Sequence, residues 1–325
     1  MAKCSIIIRC YNEEEHIGRL LNGIAQQTLK GPEIIVVDSG SDDNTLAIVA
    51  RHPVRVVSVS PEQFSFGRAL NLGCRLASGD FLVFASAHVY PLRTDWLETL
   101  LQPFTDSDVA CTYGKQRGNE TTTFSERRIF EQWFPEDANP QQDHPFCNNA
   151  NAAVRRSLWE QLPYDETLTG LEDIDWGKRV MRIGHRIAYA SDAEIVHVHN
   201  ETAERVFNRY RREALALKQI SPHEKFTLWD LLSLWSTNII GDLRQARRER
   251  VLRQHWQQIL VFRAMQFLGT YRGFAQHGRL TSHLKRRLYY PSVAPKPQRP
   301  AEQCTEGSTI DYAMLTQDPP VDERQ

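Results

Sequence analysis

Long apolar runs are missing from this chain of 325 residues. No stretch of about 18 uncharged apolar residues occurs, the length a bilayer-crossing helix needs. The nearest approach, Phe226 to Leu243, is interrupted by Asp230 and Asp242. Paired cysteines are missing too. Cys4, Cys10, Cys74, Cys111, Cys147 and Cys304 are scattered without a CxxC spacing, several inside apolar runs, and read as small buried residues rather than zinc or redox ligands. The first residues enter a strand pattern with no basic and apolar leader, so the expectation is a cytoplasmic protein in a reducing compartment. There is no internal repeat. With 41% hydrophobic and 24% charged residues, collagen-like, low-complexity and wholly disordered chains are excluded. The length permits one large α/β domain with an appendage, or two medium domains.

Net charge is also nearly missing, at −1, but the two signs are segregated. Residues 1–204 carry a net −10, residues 205–290 a net +12 and residues 291–325 a net −3. A basic segment of that strength reads either as a solvated helical face or as a surface for an anionic partner. No nucleic-acid motif accompanies it, so a nucleic-acid partner is not expected.

The first third alternates apolar runs with helical periodicity. Buried strands are expected at Ser5 to Cys10, Glu33 to Asp38, Val54 to Val59 and Asp80 to Ala85. Between them, Glu13-Glu14-Glu15 opens a helix with Ile17, Leu20, Leu21 and Ile24 on its apolar face, Thr45 to Ala50 forms a second helix, and Gly67 to Ala77 a third. Strands separated by such helices indicate βαβ units and a mostly parallel, doubly wound, Rossmann-like sheet. Ligands bind such sheets at the carboxyl ends of the strands. Tyr11 and Asn12, Asp38 and Ser39, and Ser86 to His88 stand there. Further on, a strand is expected from Val109 to Tyr113, a polar stretch from Gly114 to Asp143, a helix from Val154 to Gln161, a helix from the Gly170 to Trp176 motif through Ile183, and a strand from Arg186 to Ala190. Basic amphipathic helices run to about Tyr290, and the Pro-rich residues 291–325 read as a disordered tail.

The run Ser5-Ile6-Ile7-Ile8-Arg9-Cys10-Tyr11-Asn12-Glu13, followed by Glu33-Ile34-Ile35-Val36-Val37-Asp38-Ser39-Gly40-Ser41-Asp42-Asp43, resembles the opening of a family 2 glycosyltransferase with the GT-A fold. Phe64 to Gly73 is similar to the segment that follows in bacterial members acting on rhamnose-type polysaccharides, and the match extends through His199. The resemblance implies a GT-A domain over residues 1–204, a basic helical extension over 205–290 and the tail. It implies an inverting transfer from a nucleotide-diphosphate sugar to a glycan or lipid-linked glycan. Tyr11 and Asp38 would hold the base, with Asn12, Glu13 and Ser86 beside them. Arg68 and Asn71 either reach the diphosphate or ribose or serve as a solvated charge and a helix cap. Asn149 would belong to the sugar or diphosphate floor. Glu172-Asp173 matches the family's acidic motif, with Asp173 as the base.

One departure stands out. Where the family has Asp-x-Asp ahead of a proline, binding a divalent cation such as Mn²⁺ or Mg²⁺, this chain has Ser86-Ala87-His88. His88 either ligates a cation, of which an imidazole suits Mn²⁺ or Zn²⁺ better than Mg²⁺, or contacts the diphosphate directly when protonated. His197 and His199 alternate on a strand and share a face, which makes His199 a second candidate ligand. Trp176 either stacks on an acceptor sugar or plugs the core. The basic helices, with Trp229 and Trp235 ahead of Arg244, Arg247, Arg248, Arg250 and Arg253, read as attachment to the anionic inner face of the plasma membrane. The competing reading is a helical hairpin packed on the catalytic domain or on a second subunit of a homodimer. A non-catalytic nucleotide-sugar-binding protein with a degenerate metal motif is the rival function, opposed by the intact Glu172-Asp173. A nucleotidyltransferase is disfavoured because no glycine-rich phosphate loop follows the first strand.

Overall fold

The computed structural model describes residues 3–276 and 288–289. The expected tail, Cys304 and the basic run Lys285 to Arg287 lie outside the described residues. Four short strands, β1 (Cys4–Cys10), β2 (Glu33–Asp38), β3 (Arg55–Ser58) and β4 (Phe81–Ser86), alternate with helices α1 (Ile17–Ala25), α2 (Thr45–Val49) and α3 (Phe66–Leu76). Then come β5 (Val89–Pro91), α4 (Trp96–Leu101), β6 (Val109–Arg117), α5 (Phe124–Trp133), β7 (Asn139–Gln142), β8 (Asn151–Arg155), α6 (Arg156–Gln161), α7 (Glu172–Arg182) and β9 (Arg186–His197). Three long helices follow: α8 (Ala203–Ile220), α9 (Leu228–Arg248) and α10 (Leu252–Ala275).

All strands join one sheet in the order β3-β2-β1-β4-β8-β6-β9-β5, with β7 beside β9. β1, β2, β3 and β4 pair in parallel, as do β6 and β9, while β8 runs antiparallel between β4 and β6. The strand residues are apolar on both faces, as a doubly covered sheet requires. Ile6 and Ile8 face α1 and α4, and Ile7 faces α3, with all three fully buried. Because β1 has β2 on one side and β4 on the other, the carboxyl ends of β1 and β4 border a switch point, and the loops after them open one crevice.

Three sequence expectations needed correction. Glu13 to Glu15 precede α1 instead of opening it, because the Glu13 carbonyl accepts from the His16 and Ile17 N–H groups and turns the chain. Val154 lies in β8, and the helix starts at Arg156. A short apolar run such as Ala152-Ala153-Val154 fits a buried strand or a helix equally well, and the gap between β4 and β6 decides it. The polar stretch before Asp143 contains α5, capped by Thr123 and buried through Phe124 and Phe130.

The basic helices dock on the sheet domain. Asp242 of α9 and Arg263 of α10 form a buried two-pronged pair (2.7 and 3.1 Å), and Ser125 of α5 donates to Asp242 (2.6 Å). Behind it, Phe124, Ala246 and Ile259 form a small core. α10 also lies against α8 so closely that a Cβ on Gly269 would meet the Phe207 carbonyl at 2.4 Å. Among the described residues, no helix is long and apolar enough to cross a membrane. Replacing Asp242 by alanine strands a buried guanidinium, and the expected loss is about 3–5 kcal/mol in urea unfolding, largely recovered in an Asp242→Leu/Arg263→Met double variant.

Candidate active site at the carboxyl edge of the sheet

The β1 and β2 loops brace each other. Asp38 is 2% exposed and accepts from the Gly40 and Ser41 amides and from the Ser41 hydroxyl (2.6 Å). Ser41 in turn accepts from the Asn12 amide, and Asn12, held at a positive φ of 53°, exchanges hydrogen bonds with Asp42. Asp38 thus shapes the loop against which half-buried Tyr11 and Asn12 stand. Arg68 and Asn71 are engaged elsewhere. Arg68 pairs with Glu166 (2.8 Å), and buried Asn71 spends its amide on Tyr164, Glu166 and Trp159. That arrangement ties α3 to the segment after α6, so Asn71 acts within the fold rather than in the crevice. Trp176 is buried, and its indole N–H donates to the Leu162 carbonyl, which makes it a core residue.

Asp173 lies in the first turn of α7, where its carboxylate accepts from the Ile174 amide (2.8 Å) and the Asn149 amide (3.2 Å). Burial, then the charge of neighbouring Glu172, push its pKa up to about 7. Glu172 is itself buried and held by Arg9 at the end of β1 (3.3 Å) and by the Asn149 side-chain amide. Asn149 is therefore the polar hinge beneath both acids. Asp175 pairs with Arg179 one turn on (2.8 Å), a structural role.

The charge of Arg9 also reaches a group of three imidazoles. His88, after β4, His197, at the end of β9, and His199 place ring nitrogens within 4.8 Å of one another. His88 stacks on His197 (centroids 5.1 Å, 19°), and the Nε2 atoms of His197 and His199 are 2.9 Å apart. Each ring is anchored from behind through Nδ1 at 2.7 Å: His88 by Glu13, His197 by Gln116 Oε1 and His199 by Glu126. An acceptor at Nδ1 fixes the proton there and leaves Nε2 with its lone pair. Burial followed by the neighbouring positive charge lowers the His197 pKa well below the ordinary value. At His88 burial is outweighed by Glu13, and the pKa rises. Burial pushes Glu126 up, but His199 and Arg209 overcome it and hold the carboxyl at about 2. Three imidazoles with ligand nitrogens within 4.8 Å of one another, each with an oriented partner at Nδ1, fit a divalent cation of borderline softness.

The chain matches the model of glycosyl transferase family 2 over residues 5–162. It is 27% identical over 230 residues to the O-antigen chain rhamnosyltransferase WbaN of Salmonella anatum, covering 65% of this chain and 70% of that one. Residues 5–162, a little under half of the chain, are its glycosyl transferase family 2 part. Its fold is shared with the mannosyltransferase PcManGT of Pyrobaculum calidifontis, solved with GDP-Man and Mn²⁺ (TM-score 0.59, 19% identity, 84% of this chain and 87% of that one). The S. aureus TarS fragment 1–349 with UDP has the same fold (TM-score 0.51, 20% identity, 85% and 93%). Within this chain, Arg9, Gln116, Glu126 and Arg209 were not legible as site residues. Arg9 sits inside a strand, Glu126 in a polar stretch without periodicity, and Arg209 in a helix whose charge read as surface. His197 had one signal, its alternation with His199.

With its carboxyl raised to about 7 against an ordinary 3.8, folded Asp173 holds a proton that the unfolded chain releases. Its contribution to stability is present below about pH 4 and is lost as pH rises to about 7. The Asp173→Asn variant should therefore melt above the parent at pH 8 and together with it at pH 4, by differential scanning fluorimetry.

Proposed function

We propose that this family 2 glycosyltransferase transfers a sugar from a nucleoside-diphosphate sugar to a hydroxyl of a glycan or lipid-linked glycan in polysaccharide synthesis, with inversion at the anomeric carbon. The observation that carries the reading is the pairing of a carboxyl poised near neutrality, Asp173, with an imidazole cluster in the same field of Arg9. The charge of Arg9 acts on Asp173, His88 and His197 alike. A displacement at the anomeric carbon needs a base at the acceptor and charge stabilisation at the leaving group. The acceptor oxygen attacks as Asp173 takes its proton, and the anomeric C–O bond breaks with its electron pair leaving on the diphosphate. Glu172, ion-paired with Arg9, adds its charge to the burial that raises the Asp173 pKa. Tyr11 and the Asp38 loop form the wall for the base, with Asn12, Glu13 and Ser86 at the same edge.

His88, His197 and His199 would hold a divalent cation through Nε2. When bound, that cation supplies the positive charge that the absent Asp-x-Asp motif supplies elsewhere. The donors and cations named for similar proteins, GDP-Man with Mn²⁺ and UDP, support this assignment.

Helix α9 supports a place for the acceptor. Leu228 (56% exposed), Trp229 (77%), Leu232, Trp235 and Ile240 form an uncovered stripe on its amino-terminal part, and Arg244, Arg247 and Arg248 follow. Apolar rings beside arginines match the interface of an anionic bilayer, where a lipid-linked acceptor is presented. The docked hairpin and the membrane surface are thus compatible: one face of α9 packs inward through Asp242 and Ala246, and the other remains outside.

Turnover of a nucleotide-sugar panel should disappear in EDTA and return with Mn²⁺. Asp173→Asn should lower kcat by about 10²–10⁴-fold with donor Kd unchanged. Donor binding without turnover in the parent chain would favour the non-catalytic alternative. In flotation with vesicles, binding should require anionic lipid and fall at least fivefold in Trp229→Ala/Trp235→Ala. Equal flotation with neutral vesicles would contradict the membrane reading.

A further inference from the structure

The three arginines around the crevice are not equally matched. Arg9 has Glu172, and Arg209 has both Glu126 (2.6 Å) and Glu201 (2.7 Å). Arg212, one turn beyond Arg209 on α8, has no ion pair and no hydrogen-bond acceptor for its guanidinium among the described residues. Its charged group lies 4.6 Å from the centre of the Phe66 ring, and that of Arg9 lies 4.7 Å from the same ring. The Nε atoms of both are buried and without acceptors. Arg212 also rests against Gly170, with a Cβ built there 3.6 Å from its Nε, so it borders the turn that leads into Glu172 and Asp173.

Two guanidinium groups sharing one aromatic ring gain cation–π attraction but repel each other. Burial works against the charge of part-buried Arg212, and Glu213 and Glu201 favour it without pairing with its guanidinium. Planar guanidinium groups with free N–H donors recognise phosphate oxygens by parallel hydrogen bonds. We propose that Arg212 and Arg9, positioned by Phe66, form an anion site for a phosphate or diphosphate group beside the catalytic turn, separate from the imidazole cluster. The group belongs either to the sugar donor or to a phosphate-bearing lipid acceptor. That choice of source rests on the transferase reading, whereas the site itself does not.

The test uses inorganic pyrophosphate as probe, titrated calorimetrically into the full chain in EDTA so that the imidazole cluster takes no part. Saturable binding is expected, weakened at least tenfold in Arg212→Met, which keeps the aliphatic contact with Phe66, and partly retained in Arg212→Lys. Absence of binding to the parent chain, or equal affinity in Arg212→Met, overturns the proposal. Folding of the variants is checked by their melting temperatures. Displacement of the probe by a nucleoside diphosphate assigns the site to the donor, and displacement by a short prenyl phosphate alone assigns it to the acceptor. Displacement by neither overturns the proposal. Because the titration needs no turnover, a negative result leaves the transferase reading standing, and a silent transfer assay leaves this one standing.

Discussion

Two imidazole nitrogens that both carry lone pairs repel at 2.9 Å, the separation of Nε2 in His197 and His199. The contact is stable when a proton or a cation lies between the two nitrogens. Gln116 and Glu126 create that demand by taking the Nδ1 protons, and Glu13 does the same for His88 from a different loop. The wider site follows from this constraint. Glu126 needs Arg209 to remain charged in a buried place, Arg209 brings α8 over the crevice, and α8 carries Arg212 to Phe66. The helices after β9 are thereby part of the site and not only an appendage to it.

The sheet supplies the positions for these charges. Parallel strands β1 and β4 end side by side, so Arg9 and Ser86 are register partners, and His88 follows two residues on. β9 runs on to His197, beside β5, where Val89 pairs with His197. Asp173 arrives at the start of α7, where the Asn149 amide donates to its carboxylate. A carboxyl with its pKa near 7 at the start of α7 and the imidazole cluster after β4 and β9 both feel the charge of Arg9, and the proposed displacement of a diphosphate would use both.

The parallel half of the fold was legible because its strands are continuous apolar runs between amphipathic helices, a pattern local in sequence. Glu33 to Asp38 was located to the residue. β8 was misread because Ala152 to Val154 has no periodicity to separate strand from helix, and the two flanking strands that settle it are distant in sequence. In the site, Asp173 and His88 were legible from motif position. The partners that give them their properties were not, since Glu13–His88 spans 75 residues, Arg9–Glu172 spans 163 and Glu126–Arg209 spans 83. Asn71 shows the converse: a polar residue near the motifs whose amide is consumed by the fold, which only its contacts reveal.

In the proposed reaction, three imidazoles replace the usual carboxylates in holding the cation that meets the diphosphate. The most direct measurement is anomalous X-ray scattering at the manganese edge from crystals grown with Mn²⁺ and a nucleoside diphosphate. A single strong peak is expected, bounded by Nε2 of His88, His197 and His199, with diphosphate oxygens beside it. A peak bound by carboxylates away from these rings, or a diphosphate seated with the three imidazoles unliganded, would contradict it.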